Sequence, residues 1–329
     1  MAQDVLLVTG ATGLVGSNVC RLAVEAGYRV RGLVRSTADC EPLLDAGVEL
    51  VTGDVSDAGS VLRAAGAARG IIHTAALLGG TWASASAAAY HATNYLGTSA
   101  VLSAGRQAGV ERTVCLSTIA IFDRWRTLTE EAQVLPIGAG DTPYVRAKRS
   151  AFYEGMLHAS LGQHVAFVVP GCVYGPSLLV ERSLDPTSFT GSICAALNGR
   201  LTRYLDTPMM WAYSLDVAVT ALRALERGRC GARYLAVGRA QDAMSLPDLS
   251  NRAADIAGLP ARVENDASGT PGRYGSMSDP ARRVIADPMS DSARTAKELD
   301  FTPTAVDDAL AVTVSWLRTA GKLPAPSAP

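Results

Sequence analysis

A glycine-rich turn near the N-terminus limits what this chain can fold into more than any other feature. The segment Thr9-Gly10-Ala11-Thr12-Gly13-Leu14-Val15-Gly16 follows a short apolar run, Val5–Thr9, and opens an Ala-rich amphipathic stretch, Gly16–Ala26. Such a turn needs backbone freedom at its first glycine, bare backbone where a pyrophosphate approaches, and close packing of helix on strand. The start of the helix then offers free N–H groups and the positive end of its dipole to phosphates. Ser17 and Asn18 follow Gly16 where a nucleoside-triphosphate loop would carry Lys, so that loop type is set aside. The candidate phosphate-binding residues are Gly10, Thr12, Gly13, Leu14, Val15 and Gly16; a plain structural turn is the competing reading.

The rest of the first half repeats the same rhythm. Apolar runs at Val5–Thr9, Val30–Val34, Glu49–Thr52, Gly70–His73, Thr113–Ser117 and Val165–Val169 alternate with helical stretches such as Val61–Ala67, Thr93–Ala108 and Tyr144–Leu161. This alternation predicts an α/β fold, a doubly wound parallel sheet with helices on both faces. Strands buried on both faces read as continuous apolar runs, as these do. After Pro170 the rhythm breaks, and Pro, Gly, Ser and Thr become frequent through 175–212 and 264–290. Helices are still expected at Val217–Arg227, Leu246–Ala257 and Val306–Arg318, and a strand at Ala232–Val237. The predicted organisation is a dinucleotide-binding domain over 1–170, a smaller substrate-binding lobe over 171–322 interleaved with the last sheet strands, and a frayed Pro-rich tail over 323–329.

Composition narrows the function. Lys plus Arg is 30 and Asp plus Glu is 31, with the charges dispersed, so neither nucleic acid nor an anionic membrane surface is an expected partner. No apolar run is long enough to span a bilayer, and Met1-Ala2-Gln3-Asp4 does not begin like a secretory leader. The six cysteines lie far apart and the four His residues show no paired spacing, which predicts reduced buried thiols, no metal and a cytoplasmic location.

Cofactor choice is read at the end of the second strand. Arg35-Ser36 stand there, and no acidic residue appears until Asp39. An Arg suits a 2′-phosphate by charge and by its planar fork, so NADP(H) is favoured over NAD(H), with Arg35 as the contact and Ser36 as helper; a solvated surface Arg is the alternative. Asp54, followed by Val55 at the end of the third strand, either accepts from an adenine amino group or caps the next helix.

Tyr144-Val145-Arg146-Ala147-Lys148 is the sharpest chemical feature. Residues i and i+4 share a helix face, so the phenol and the ammonium can point to one place. An ammonium beside a phenol lowers its pKa towards a useful range for proton transfer to a carbonyl oxygen. Asp141 or Thr142 can cap this helix and Pro143 suits its first turn. Ser117-Thr118 close a strand, where a hydroxyl faces the ligand crevice. Asn94, inside an Ala-rich helix, either bends the helix, binds a water that relays protons to Lys148, or caps a helix. His73 ends the fourth strand and reads best as a satisfied core histidine, with Thr74, Ala75 and Ala76 leaving room for a cofactor.

Together these segments, with Pro170–Pro176, Ser214–Ala218 and Ala296–Pro303, resemble the extended short-chain dehydrogenase/reductase family over nearly the whole chain. The resemblance implies a Rossmann-type sheet and a catalytic set of Tyr144 as general acid/base, Lys148 holding the nicotinamide ribose, Thr118 in the usual serine position with Ser117 beside it, and Asn94. It implies that Pro170 and Val173 flank the nicotinamide, and that helices starting near Asn94 and Tyr144 build a homodimer. Within the family, Val30–Ser36 and Ile72–Ala76 look like the branch of 3β-hydroxysteroid dehydrogenases and dihydroflavonol reductases. Thr118 for Ser, Val169 for Arg and Asp300 for Gly depart from the family pattern, and the missing Arg weakens a sugar-nucleotide reading. The expected activity is NADP(H)-dependent reduction of a carbonyl, or oxidation of an alcohol, on an apolar cyclic, steroid-like, polyketide-like or aryl substrate. A sugar-nucleotide epimerase or dehydratase holding NAD(P) tightly is the alternative, and a non-catalytic dinucleotide sensor the third. Leu78, Trp82, Phe122, Tyr174, Met210 and Trp211 are the expected substrate-lining residues, because Met and aromatic side chains make adaptable apolar walls.

Overall fold

The computed structural model describes residues 4–78, 85–122, 128–185, 187–266 and 290–323. Seven parallel strands form the central sheet: β1 (Val5–Thr9), β2 (Arg29–Val34), β3 (Glu49–Thr52), β4 (Gly70–His73), β5 (Arg112–Leu116), β6 (Val165–Pro170) and β7 (Arg233–Ala236). Their spatial order is β7-β6-β5-β4-β1-β2-β3, and every pairing is parallel. The order reverses between β1 and β4, so the crevice that receives ligands in open parallel sheets lies beyond the ends of these two strands. Thr9 and His73 are register partners there, which sets Gly10 and Thr74 side by side at the start of their loops.

The continuous apolar runs have the expected cause. In β1, Leu6 and Val8 pack into one core and Leu7 into another, all fully buried. The first core contains Val19 of the helix Leu14–Glu25 and Val217 and Ala221 of the helix Ser214–Arg227. The opposite face is covered by the helices Ala58–Ala65, Gly97–Gln107 and Pro143–Ser160. A separate core gathers Ile193, Leu197, Trp211, Leu249 and Leu310 from the C-terminal half. That half also supplies β7 and the helix Ser214–Arg227, so it contributes to the sheet body as well as to its own core.

Helix starts move from their sequence reading, as Val217 to Ser214 does, and two cases show why. The stretch expected as one helix over Thr93–Ala108 is a short helix Ala87–Tyr90, a π-helical turn His91–Leu96, and an α-helix Gly97–Gln107. The stretch expected to start at Val61 starts at Ala58, because Asp57 caps it by accepting from Gly59 N–H at 3.0 Å. Asp300, in place of a usual glycine, adopts the left-handed conformation (φ +51°) that ends the helix Ala293–Leu299, a conformation glycine adopts without steric cost.

Candidate functional site

The glycine turn builds a cradle at the β1/β4 crevice. Gly10 has φ +71°, and Gly13 N–H closes the turn on the Gly10 carbonyl at 2.9 Å. A Cβ on Gly10 would press on Ala75 backbone and the Thr74 hydroxyl, and one on Gly16 would collide with the Gly10 carbonyl. The Thr74 hydroxyl donates to the Thr9 carbonyl at 2.8 Å, tying the two loops together. The helix Leu14–Glu25 starts at Gly13 with no side-chain cap and no acidic residue in its first turn. Its first N–H groups are therefore available to an anion. Gly13 is exposed, and Thr12, Leu14, Val15, Ala75 and Ala76 are half-buried around it. These residues fit the pyrophosphate of a dinucleotide.

Around the expected adenosine end, Arg35 and Ser36 are exposed beyond β2. The Arg35 charge acts on Asp54, whose carboxyl lies below its usual pKa mainly because it accepts from Ser56 N–H, and also from the Ser56 hydroxyl. Asp54 does not cap the following helix; Asp57 does. Val55 is buried against Gly97. Pro170 is buried at the end of β6, and Val173 is half-buried in the short strand Cys172–Tyr174, which pairs in parallel with Trp211–Tyr213.

The structure brings Thr118 and Tyr144 together and sets Lys148 one turn further along the same helix, against the end of β5. Thr142, not Asp141, caps the helix Pro143–Ser160, accepting from Val145 N–H at 3.2 Å. Tyr144 is half-buried at its start. Burial pushes its phenol up to about 12, and a hydrogen bond with the Thr118 side chain works against that rise. Lys148 is buried and donates to the Leu116 carbonyl of β5 at 3.1 Å. Burial holds its ammonium down to about 8. The lowered phenol pKa expected from Lys148 is not what this geometry produces: burial is the larger effect, and the phenol is held protonated. Ser117 does not join Thr118. Successive residues of an extended segment point to opposite sides, and the Ser117 hydroxyl is buried without a hydrogen-bond partner among the described residues.

Asn94 is fully buried in the π-helical turn and acts on the loop after β4. Its Oδ1 accepts from Leu77 N–H at 2.7 Å and its Nδ2 donates to the Leu77 carbonyl at 2.9 Å. Both ends of the amide are thus engaged with Leu77, and its side chain caps no helix. His73 is a satisfied core residue, bonded to the hydroxyls of Thr9 (2.7 Å) and Thr98 (3.0 Å), and burial keeps it neutral.

The expected substrate wall is placed differently. Phe122, Tyr174, Met210 and Trp211 sit in the core clusters, none more than 6% exposed. The Tyr174 and Trp211 rings meet edge to face with centroids 5.9 Å apart, and Trp211 Nε1 donates to the Met244 carbonyl. Packing consumes these apolar surfaces, Tyr174 and Trp211 in the C-terminal core and Phe122 and Met210 against the sheet. Leu78 is exposed, and Trp82 lies outside the described residues. Sequence reasoning missed Tyr90, whose ring meets Tyr144 edge to face at 6.0 Å and whose hydroxyl donates to the Leu78 carbonyl. It also missed Arg149, which donates to the carbonyls of Ile121 and Pro136 and pairs with Asp141 at 2.5 Å. An available sequence signal was the scarcity of lysine: three Lys, at 148, 297 and 322, stand against 27 Arg. Arg cannot give up its proton in a protein, so a Lys at 148 in so Arg-rich a chain points to a titrating role.

The sequence pattern of the NAD dependent epimerase/dehydratase family matches residues 6–236. The chain belongs to this family. Its members bind an NAD(P) dinucleotide, and the family falls within the extended short-chain dehydrogenases/reductases. A Synechocystis sp. relative, provisionally named dihydroflavonol 4-reductase, is 29% identical, covering 97% of this chain and 96% of its own length. The sterol demethylase protein B of Methylococcus capsulatus is 26% identical, with 96% and 99% covered. Among solved structures, a nucleoside-diphosphate-sugar epimerase from Pseudomonas aeruginosa superposes with a TM-score of 0.77 at 24% identity, covering 98% of this chain and all of that one. This likeness is one of fold. Relatives named as reductases and solved structures of sugar-nucleotide epimerases both share this pattern.

Proposed function

We propose that the protein is an NADP(H)-dependent reductase that converts a carbonyl on an apolar substrate to an alcohol. The observation that carries this reading is the hydrogen bond of Thr118 with Tyr144, with Lys148 one turn further along the same helix, where the C-terminal end of β5 faces the N-terminal end of the helix Pro143–Ser160 at the ligand edge of the sheet whose glycine turn fits a pyrophosphate. When bound, the reduced nicotinamide supplies the hydride that the carbonyl carbon takes up. The chain does the rest. The Thr118 hydroxyl donates to the carbonyl oxygen and stabilises the charge that grows there. The Tyr144 hydroxyl gives that oxygen its proton, a role suited to a phenol held protonated. Lys148 keeps a positive charge behind the site. Arg35, exposed beyond β2, takes the 2′-phosphate of NADP(H), with Ser36 beside it.

The relatives named as a reductase and as a sterol-processing protein support an apolar substrate, and the family's epimerases define the competing activity. The deciding test is loss of NADPH absorbance with a panel of apolar ketones and aldehydes. Stoichiometric consumption is expected. No consumption across the panel, with nucleotide found tightly bound to the purified protein, would replace this reading by the epimerase one. Tyr144→Phe should lower turnover by about two orders of magnitude or more with cofactor affinity unchanged, and near-full activity would sink the assignment. The protein acts as a homodimer through the helix Pro143–Ser160, which leaves Tyr153, Met156, Leu157 and Leu161 exposed along one side.

A further inference from the structure

We propose that Ser117 holds one water molecule against the Lys148 ammonium, which makes it a positioning residue for that lysine and not a member of the substrate-binding pair. This inference rests on Lys148 being the working lysine of the site.

An ammonium has three N–H donors and no acceptor. At Lys148 one donor goes to the Leu116 carbonyl. The titratable groups facing it from neighbouring strands are Cys115 of β5 and His73 of β4. Burial keeps the Cys115 thiol protonated and His73 neutral, so neither offers a full countercharge. Tyr144 lies one turn earlier on the same helix and is also held protonated. No carboxylate among the described residues is a cause of its shift.

Lys148 lines a small cavity with about 10 Å³ open to the centre of a water molecule, shared with Thr98, Cys115, Ser117, Phe152 and Phe167 among others. That is close to the least space one water needs. Ser117 is one of the lining residues, and its hydroxyl is buried with no hydrogen-bond partner among the described residues. Its backbone N–H donates to the Val168 carbonyl at 2.8 Å, which fixes the residue in place. Thr98 is already committed, donating to the Asn94 carbonyl and bonded to His73. The two phenylalanines offer no polar atom. A water here accepts from Lys148 and donates to Ser117 Oγ. It satisfies an orphaned hydroxyl and a buried cation together, each of which is costly left alone.

The test exploits the chain's three lysines. In cofactor-free protein labelled with carbon-13 at lysine Cε, Lys148 gives one of three signals, assigned through Lys297→Arg and Lys322→Arg. Its titration midpoint should fall by about one pH unit in Ser117→Ala, a tenfold change in the proton's binding constant. Should that variant not fold, Ser117→Cys, which keeps the volume but accepts hydrogen bonds weakly, carries the same expectation. An unchanged midpoint in a folded variant would overturn the proposal. The readout needs neither substrate nor turnover, so its failure is distinguishable from failure of the reductase reading, which shows instead as no NADPH consumption across the ketone and aldehyde panel.

Discussion

At the scale of single residues, the site is held by side chains whose protonation is set by burial. Lys148 titrates near pH 8 in the folded chain, below its ordinary value of 10.5. Below pH 8 both states carry the proton, and the folded state bears the cost of burying it. Between about pH 8 and 10.5 the unfolded chain holds a proton that the folded chain has lost, so stability rises with pH across that window. Lys148→Met should therefore stabilise the cofactor-free protein at pH 7 by about 2 kcal/mol while removing activity. Thermal melting of both proteins checks this, and a melting temperature lowered at pH 7 would contradict it. Arg35 belongs to the same scale. Arg35→Asp should reduce the preference for NADPH over NADH on the order of tenfold in kcat/KM; an unchanged ratio would take Arg35 out of the cofactor site. The Tyr-x-x-x-Lys spacing was legible in the sequence. The side to which Ser117 turns was not, because it depends on where the strand ends and what packs behind it.

At the scale of elements, the helix Pro143–Ser160 is the part on which the site depends most. It carries Tyr144 and Lys148, and its Arg149 reaches the loop that follows Thr118 through the Ile121 carbonyl. Arg149 and Asp141 form an ion pair whose side chains are only 5% and 13% exposed. Asp141 Oδ2 also accepts from Gly138 N–H. Removing one partner of a buried pair leaves the other charge without compensation, so Arg149→Met should cost about 3 kcal/mol of stability. Its looser register between Thr118 and Tyr144 should lower kcat more than it raises KM. Denaturant unfolding and steady-state kinetics test the two effects, and wild-type values in both would show that the pair positions nothing. The π-helical turn around Asn94 is the element that sequence reasoning did not see. Helical periodicity is the same on both sides of it, and only the contact with Leu77, distant in sequence, marks the place where one turn widens.

At the scale of the whole molecule, two lobes share one chain without a simple cut between them. The helix Ser214–Arg227 and β7 return to the sheet from the second half, and Asp216 at that helix's first turn accepts from the backbone and hydroxyl of Thr304. The exposed apolar side of the helix Pro143–Ser160 leads to the assembly prediction. Leu157, 53% exposed, lies at its centre. Leu157→Glu should shift the protein from dimer to monomer in sedimentation; a wild-type protein already monomeric at working concentration would dispose of the homodimer.

The strands, the glycine cradle and the Tyr144–Lys148 face were set by the sequence alone, because each rests on a local period or spacing that the backbone reads directly. Leu6-Leu7-Val8 declare a strand buried on both faces whatever surrounds them, and Gly10 declares a turn that side chains would obstruct. The fates of Asn94, Ser117, Tyr174 and Trp211 were decided only by tertiary structure. A buried amide, hydroxyl or ring does whatever its distant neighbours leave unsatisfied, and those neighbours, Leu77, Lys148 and Met244, lie far away along the chain or come close only by folding.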